Sequence, residues 1–487
     1  MRTFFFILSI LTGWLGAVCA ERAITLDEAI ARARGQSVDA AVAVNELRTA
    51  YWEYRTFRAE LLPEITFKAT LPSFNKRYNS YQREDGSYTF LRDDNLMLSG
   101  SLTATQRIWL TGGTLELTSS LDFVRQLSNG VGNRFMSVPV ALRLNQPLFA
   151  ANDVKWNRRI EPVRYREAMA NYLSQTEELA MQAINYFFNL LSARQDYAGA
   201  AQNVANAEKL YEAAKVKRSM GKISENDVLQ IELNLLNSRS ALTKGESNVR
   251  SAMFQLRSFL NLPDDEDLIP VEPAVANLPE VEYDDVISKA LEYNSLALNI
   301  QRRQLEADYE VAKARGNLRE VNLFAQVGYT GTNDTFRAAY DNLKGNQVVE
   351  VGISIPLLDW GKRKGKVKVA RSRRDLTRER LNKERNDFCQ NLFVLVERFN
   401  NQRQQLSLAI RAEQIATRRY DSSVETFLIG KLSTLDLNDS QENKDSARSN
   451  YLNEMFYYWY YYYQLRSLTL WDFENNTPIE TDFKSII

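Results

Sequence analysis

Histidine is absent from all 487 residues, and cysteine occurs only twice, at Cys19 and Cys389. A chain without histidine lacks the side chain most used for proton transfer near neutral pH and for metal ligation. It also has no Gly-rich phosphate loop and no cluster spaced like metal ligands, so an enzyme is a poor reading and no cofactor or metal is expected. A carboxylate-only hydrolase survives as a formal class, but no Asp or Glu falls in a pocket-like pattern. An excess of one charge is missing too. The 61 basic and 61 acidic residues cancel, which argues against a nucleic-acid partner. Past residue 20 there is no run of about 18 apolar residues, so no membrane-spanning helix is expected. A periplasmic protein, a secreted protein and a β-barrel remain open, because alternating strands escape hydropathy scans.

What is present begins with a leader. Met1 to Ala20 has one basic residue, an apolar centre and small residues before Glu21, the pattern of a secretory signal peptide cut after Ala20. A rival processing would leave Cys19 as a lipid-bearing N-terminus, although Gly16 and Val18 fit it poorly. After cleavage Cys389 stands alone, so no intrachain disulfide forms and packing must hold the fold.

The mature chain is organised around Phe427 to Asp439, F-L-I-G-K-L-S-T-L-D-L-N-D, a turn that interrupts a helical tract free of Gly and Pro back to Gly365. Gly221-Lys222-Ile223-Ser224 answers Gly430-Lys431-Leu432-Ser433, and Asp227 answers Asp436, each pair 209 positions apart. Pro147 with Pro356, and Gln255-Leu256-Arg257-Ser258 with Gln464-Leu465-Arg466-Ser467, keep the same spacing. A long helix, a sharp turn and a returning helix are therefore duplicated. Glycine closes the incoming helix at each turn, and Ser224 or Ser433 caps the outgoing one. An ordinary αα-hairpin explains either turn alone. Length adds more: Lys366 to Ile429 would span roughly 96 Å as a helix.

Residues 21–262 form the first repeat: a helix over 25–60, strands within 64–149 and a helical hairpin over 153–260 with its tip at 219–228. Residues 263–283 are a Pro- and acid-rich linker. Residues 284–470 repeat the plan with a helix over 284–318, a β-hairpin over 321–358 and a helical hairpin over 362–470 with its tip at 427–439. A tail follows at 471–487. Each first helix is read as unbroken, from Ile24 to Glu60 and from Tyr283 to Val321.

Alternation marks the strands. Ile65, Phe67, Ala69 and Leu71 share a face, as do Leu96, Leu98, Gly100, Leu102 and Ala104. Leu115, Leu117, Ser119 and Leu121 do likewise, and so do Val138, Val140, Leu142 and Leu144. Leu323, Ala325, Val327 and Tyr329 pair with Val349, Val351, Ile353 and Ile355 in the second repeat. Asn75 to Asp94 and Thr332 to Gln347 read as exposed loops. One hairpin per repeat gives four strands, too few to close a barrel, which needs about eight. Thr111-Gly112-Gly113-Thr114 adds a turn that makes six possible, and pattern leaves four and six both open. A small soluble sandwich also fits the pattern.

In the second hairpin Phe388, Leu392, Leu395, Phe399, Leu406 and Ile410 repeat as a coiled-coil seam. The run Phe456 to Tyr463, F-Y-Y-W-Y-Y-Y-Y, suits packing between helices better than a membrane belt. Lys362 to Arg374 is basic and either meets acidic headgroups or solvates a helix start.

The leader, the doubled helix, hairpin and long-helix plan, the Gln-Pro-Leu-Phe and Ile-Pro-Leu-Leu-Asp-Trp-Gly strand exits and the Gly-Lys-x-Ser-x-x-Asp turns together resemble the TolC-like outer-membrane efflux proteins. The resemblance covers essentially the whole mature chain and implies an α+β membrane protein. In that family a homotrimer forms a twelve-stranded transmembrane β-barrel continuous with a long periplasmic α-helical coiled-coil barrel, built from two tandem repeats. The linker and tail would contribute to an equatorial belt. The protein would then be the exit duct of a tripartite efflux pump or type I secretion system, set in outer-membrane lipid. A periplasmic adaptor (membrane fusion) protein and an inner-membrane RND or ABC-type pump would dock at tips bearing Gly221, Lys222, Ser224, Gly430, Lys431 and Ser433.

The resemblance also implies a carboxylate gate at Asp436 and Asp439, three apart on one helix face. Three copies would bring six carboxylates to one aperture, a ring that favours cations. Asp227 would stand in the closing network. Leu432 and Phe427 replace the basic and tyrosine partners the family's pattern has there, leaving Lys222 or Lys431 as substitutes. A plain helix start that suits the macrodipole explains the same aspartates. The rival for the whole chain is a non-conducting coiled-coil structural or adhesion protein of the envelope, which would have no use for paired β-hairpins.

Overall fold

The structure is a computed structural model that describes residues 21–127, 132–263, 267–275, 278–354, 358–429 and 431–486. The leader with its cleavage site and Cys19, Asp264 to Glu266 of the linker, the strand exit Ile355 to Leu357 and the tip glycine Gly430 lie outside the described residues. In chain order the elements are β1 (Glu21–Ile24), α1 (Leu26–Gln36), α2 (Val38–Ala59), β2 (Glu64–Gln82), β3 (Tyr88–Arg107), β4 (Thr114–Gln126), β5 (Gly132–Pro147), α3 (Asp153–Ser219), α4 (Glu225–Leu260), β6 (Asp267–Pro270), α5 (Tyr283–Tyr293) and α6 (Ser295–Gly316). They continue with β7 (Glu320–Asn333), β8 (Lys344–Ser354), α7 (Lys362–Leu428), α8 (Thr434–Thr469), β9 (Trp471–Asp472), β10 (Thr477–Pro478) and α9 (Phe483–Ile486). Helices α3 and α7 have 67 residues each, and α4 and α8 have 36 each. No helix among the described residues is long and apolar enough to cross a membrane.

Two compact units divide the chain. One comprises Thr49–Glu167 and Leu298–Arg385 and contains a six-stranded sheet in the order β2-β3-β4-β5-β7-β8, antiparallel throughout. Among the described residues this sheet has six strands, where the sequence pattern had left four and six both open. The Asn75 to Asp94 stretch is not the loop expected. The β2–β3 ladder resumes beyond a register shift at Thr70/Ser73 and runs to Gln82↔Tyr88, so only the turn from Arg83 to Ser87, closed by the Arg83 N–H on the Ser87 carbonyl, lies outside the strands. Polar residues on both faces there, such as Asn75, Lys76 and Arg77, removed the alternation while backbone pairing continued.

Cross-strand partners sort the sheet into two faces, because directly opposed residues point the same way. One row reads Ala104, Leu117, Leu142, Val327, and the next Leu115, Leu144, Ala325, Val349. The opposite face reads Thr66, Thr103, Thr118, Ala141. Apolar residues on the first face are exposed, Phe67 at 71% and Val349 at 78%. A register shift between Ser137 and Val140 reverses parity along β5, so Phe135 opposes Phe123, rings 4.9 Å apart, where simple alternation from Leu142 would have placed Val138 on that face. In the same unit Arg302 binds Glu167 and Glu306, joining α6 to α3.

The other unit takes the residues up to Arg48, Ala168–Ala297 and those from Asn386 on. Its main core gathers Ile24, Ile30, Phe187, Leu191, Leu256, Leu268, Leu278, Val286, Leu392, Phe399, Tyr458 and Tyr462. The seam residues Leu392, Leu395, Phe399 and Leu406 are buried in it, with Phe388 and Ile410 packed beside them. Tyr458 and Tyr462 of the aromatic run stack on Phe399 at 6.4 and 6.2 Å and lie between helices. The linker is less open than its composition suggests. Asp267–Pro270 pairs parallel with Glu21–Ile24, and Leu268 is fully buried.

Neither first helix is unbroken. Ser37 separates α1 from α2, its hydroxyl donating to the Ala33 carbonyl at 2.6 Å and accepting from the Ala40 N–H at 3.0 Å. One side chain thus satisfies the end of one helix and the start of the next. Asn294 does the same between α5 and α6: its N–H reaches the Ala290 carbonyl and its Oδ1 accepts from the Leu296 N–H at 2.8 Å.

Candidate functional site

The two hairpin tips lie in the helical unit. At the first, the Lys222 N–H reaches back to the Lys217 carbonyl (2.9 Å) and the Gly221 N–H to that of Arg218 (2.8 Å). This is a Schellman closure, and it needs the φ of +72° that Gly221 adopts. No atom would obstruct a Cβ at Gly221, so its conformation is what calls for glycine. Ser224 then opens α4 with a complete capping box: its Oγ accepts from the Asp227 N–H, while the Asp227 carboxylate accepts from the Ser224 N–H and hydroxyl at 3.0 and 2.8 Å. Those hydrogen bonds, side chain first, hold the Asp227 carboxyl below its ordinary range.

The second tip shares part of this geometry. The Lys431 N–H reaches the Thr426 carbonyl at 3.1 Å, the Ser433 Oγ accepts from the Asp436 N–H, and its hydroxyl donates to the Asp436 carboxylate at 2.6 Å. Asp436 and Asp439 are both exposed on the first turns of α8. They are turned to different partners, Asp436 to its own cap and Asp439 to Arg419 of α7 at 2.6 Å. Among the described residues no ion pair joins Lys222 or Lys431 to Asp227, so the lysine substitution the sequence suggested is not made within one chain. Both lysines are exposed.

Phe427 is not a bare replacement for a hydroxyl. It is buried with Ala214, Val228, Ile231, Tyr420 and Leu437 in a small core between the hairpins, with Leu432 packed against it and the Lys217 ammonium 5.2 Å from its ring centre. Polar ties run beside this core. Asn206 donates to the Tyr420 hydroxyl, Asn203 to the Asp445 carboxylate and Asn234 to the Asn438 amide oxygen, each at 2.9 Å. A cavity of about 460 Å³ opens among Ile231, Asn234, Asn438, Glu442 and Asp445. Burial, then the charge of Asp445, pushes the Asp196 carboxyl up. Sequence reasoning missed Arg419 and these asparagines. The recurrence of Asn203, Asn206 and Asn234 among Ala and Leu was the one available signal. In the sheet unit, Arg363, Lys366, Arg373 and Arg374 of the basic run line a separate cavity of about 1080 Å³.

A family model described as outer membrane efflux protein matches residues 29–262 and 287–455. Among solved structures, the Campylobacter jejuni CmeC outer membrane channel is 15% identical over 94% of this chain and 88% of that one, with a TM-score of 0.66. The Vibrio cholerae outer membrane protein VceC is 13% identical over 93% and 97%, at 0.64. The open state of the Neisseria gonorrhoeae MtrE outer membrane channel is 14% identical over 94% and 91%, at 0.62. No curated protein matches.

Proposed function

The chain belongs to the outer membrane efflux protein family, and from that premise we propose that three copies assemble into an exit duct whose inner mouth is gated by tip carboxylates. Members of the family are channels rather than enzymes, and they reside in the outer membrane with their helices in the periplasm. The observation that carries the proposal is the two-faced sheet. An apolar face more than three residues deep belongs against lipid, and the Thr- and Ser-bearing face behind it lines water. A coiled-coil envelope fibre has no place for such a sheet, which sets that reading aside.

In the proposed assembly the two tandem repeats give each copy equal helical hairpins, and their lengths of 67 and 36 residues in both halves support this. The duct conducts passively. An inner-membrane pump of RND or ABC type, joined through a periplasmic adaptor at Gly221, Lys222, Ser224, Gly430, Lys431 and Ser433, would drive efflux of small molecules or secretion of a polypeptide. Asp436 and Asp439 of three copies would form the constriction, and Asp227 would brace the neighbouring helix start. Purified protein tests the assembly: in detergent it should run with the mass of three chains, and in planar bilayers it should conduct. A single chain that leaves bilayers sealed would overturn the proposal.

A further inference from the structure

The sheet stops at two open edges, and that decides what must continue it. Within the described residues β2 and β8 each pair on one side only. Both edges carry the apolar face to their rim: Ile65, Phe67 and Leu71 on β2, Val349, Val351 and Ile353 on β8, all exposed. A sheet edge in lipid leaves N–H and C=O groups with no water to bond, so it must be closed by another strand. Six strands are too few to close on themselves.

We infer that β8 of one copy pairs with β2 of the next, so that three copies close a barrel of eighteen strands. The strand count allows it. Directions alternate along β2-β3-β4-β5-β7-β8, and because six is even, β8 meets the next copy's β2 antiparallel, as every internal pair already does. A second copy is the occupant because it alone brings an apolar row of matching depth to each rim.

A barrel of twelve would require two strands of each copy to leave the sheet. The register shifts at Thr70/Ser73, Thr118/Ser120 and Ser137/Val140 bulge the ladders without unpairing a strand from its neighbour. Pairing is continuous from Glu64↔Thr105 through Leu102↔Ser119, Leu117↔Leu142 and Leu142↔Val327 to Ala325↔Val349. With strands about 4.8 Å apart and tilted about 40°, eighteen give a backbone diameter of roughly 36 Å, against roughly 24 Å for twelve. The membrane passage is then as wide as a porin's, and the constriction falls to the helical tips.

This inference rests on the three-copy duct. Its test is the number of strands seen around the axis by electron cryo-microscopy of the full-length protein in detergent, with the particle mass measured first. Eighteen strands in a three-chain particle is the expected result. Twelve strands in a three-chain particle would overturn the inference and leave the duct standing, whereas a single-chain particle would overturn both. Disulfide trapping gives an independent reading in a background lacking Cys19 and Cys389. Val351→Cys combined in turn with Ile65→Cys, Phe67→Cys or Ala69→Cys should yield covalent trimers on oxidation. Trapping only when the second cysteine is Leu117→Cys or Leu121→Cys on β4 would contradict it.

Discussion

Arg419 on α7 holds Asp439 on α8, guanidinium to carboxylate at 2.6 Å, across the two arms of the second hairpin. Both side chains are more than half exposed, and an exposed pair of this kind contributes about 0–1 kcal/mol to stability. Its effect on charge at the tip is larger than its effect on the fold. Arg419→Gln should leave the melting temperature nearly unchanged and free three carboxylates at the proposed aperture. Cation preference and block by multivalent cations should then both increase in planar bilayers. Unchanged block would remove Asp439 from the gate.

The two faces of the sheet should respond differently to one new charge. Leu142 opposes Leu117 and Val327 on the apolar face, whereas Thr118 opposes Thr103 on the polar one. Leu142→Arg puts a guanidinium against lipid at a cost of about 2–4 kcal/mol, and assembled protein in the outer membrane should fall. Thr118→Arg should assemble normally. Equal assembly of the two variants would contradict the orientation.

Glu177 is almost fully buried between two arginines, with Arg34 at 2.6 Å and Arg466 at 3.0 Å, and Arg466 continues to Asp472 at 2.7 Å. Burial opposes the Arg466 charge, but Glu177 and then Tyr462 together outweigh it and hold that guanidinium above its ordinary range. Removing one member of such a group strands the others' charge. Glu177→Gln should therefore lower stability by about 3 kcal/mol, read as a clear drop in melting temperature. Tip function in any protein that still assembles should be unaffected.

The fold's long hairpins, their tips and most of the strands were legible in the sequence because each rests on a local signal: Gly before Ser at the turns, a heptad of apolar residues on α7, alternation along β4 and β7. The breaks at Ser37 and Asn294 were not, since one capping side chain interrupts the backbone without interrupting the apolar period. The outer half of the β2–β3 ladder was hidden by polar residues on both faces, and the partners of β1 and of Asp439 by distance along the chain. The tip aspartates were expected from position, but only the structure shows that the Asp227 carboxylate completes the capping box of α4 and that Asp436 accepts from the Ser433 hydroxyl at the start of α8. That geometry gives each a structural duty alongside the proposed role at the pore.

Two aspartates should shift stability with pH in opposite senses. Asp196 has its carboxyl raised by burial and by Asp445, so its charge is a penalty at neutral pH that disappears as the group protonates. Asp196→Asn should melt higher than the parent at neutral pH and lose that advantage below about pH 4. Asp227 has its carboxyl lowered by Ser224, so it contributes stability above the ordinary aspartate range that is lost as pH falls through its depressed value. Ser224→Ala should remove that contribution, seen as faster amide exchange in the first turn of α4 at neutral pH.

The most direct test of the account is the reversal potential of the purified assembly in a planar bilayer under a potassium chloride gradient, for the parent and for Asp436→Asn/Asp439→Asn. The expected result is a conducting parent with clear cation preference that falls toward zero in the double variant. A bilayer that stays closed would contradict the duct, and an unchanged reversal potential in the double variant would contradict the gate.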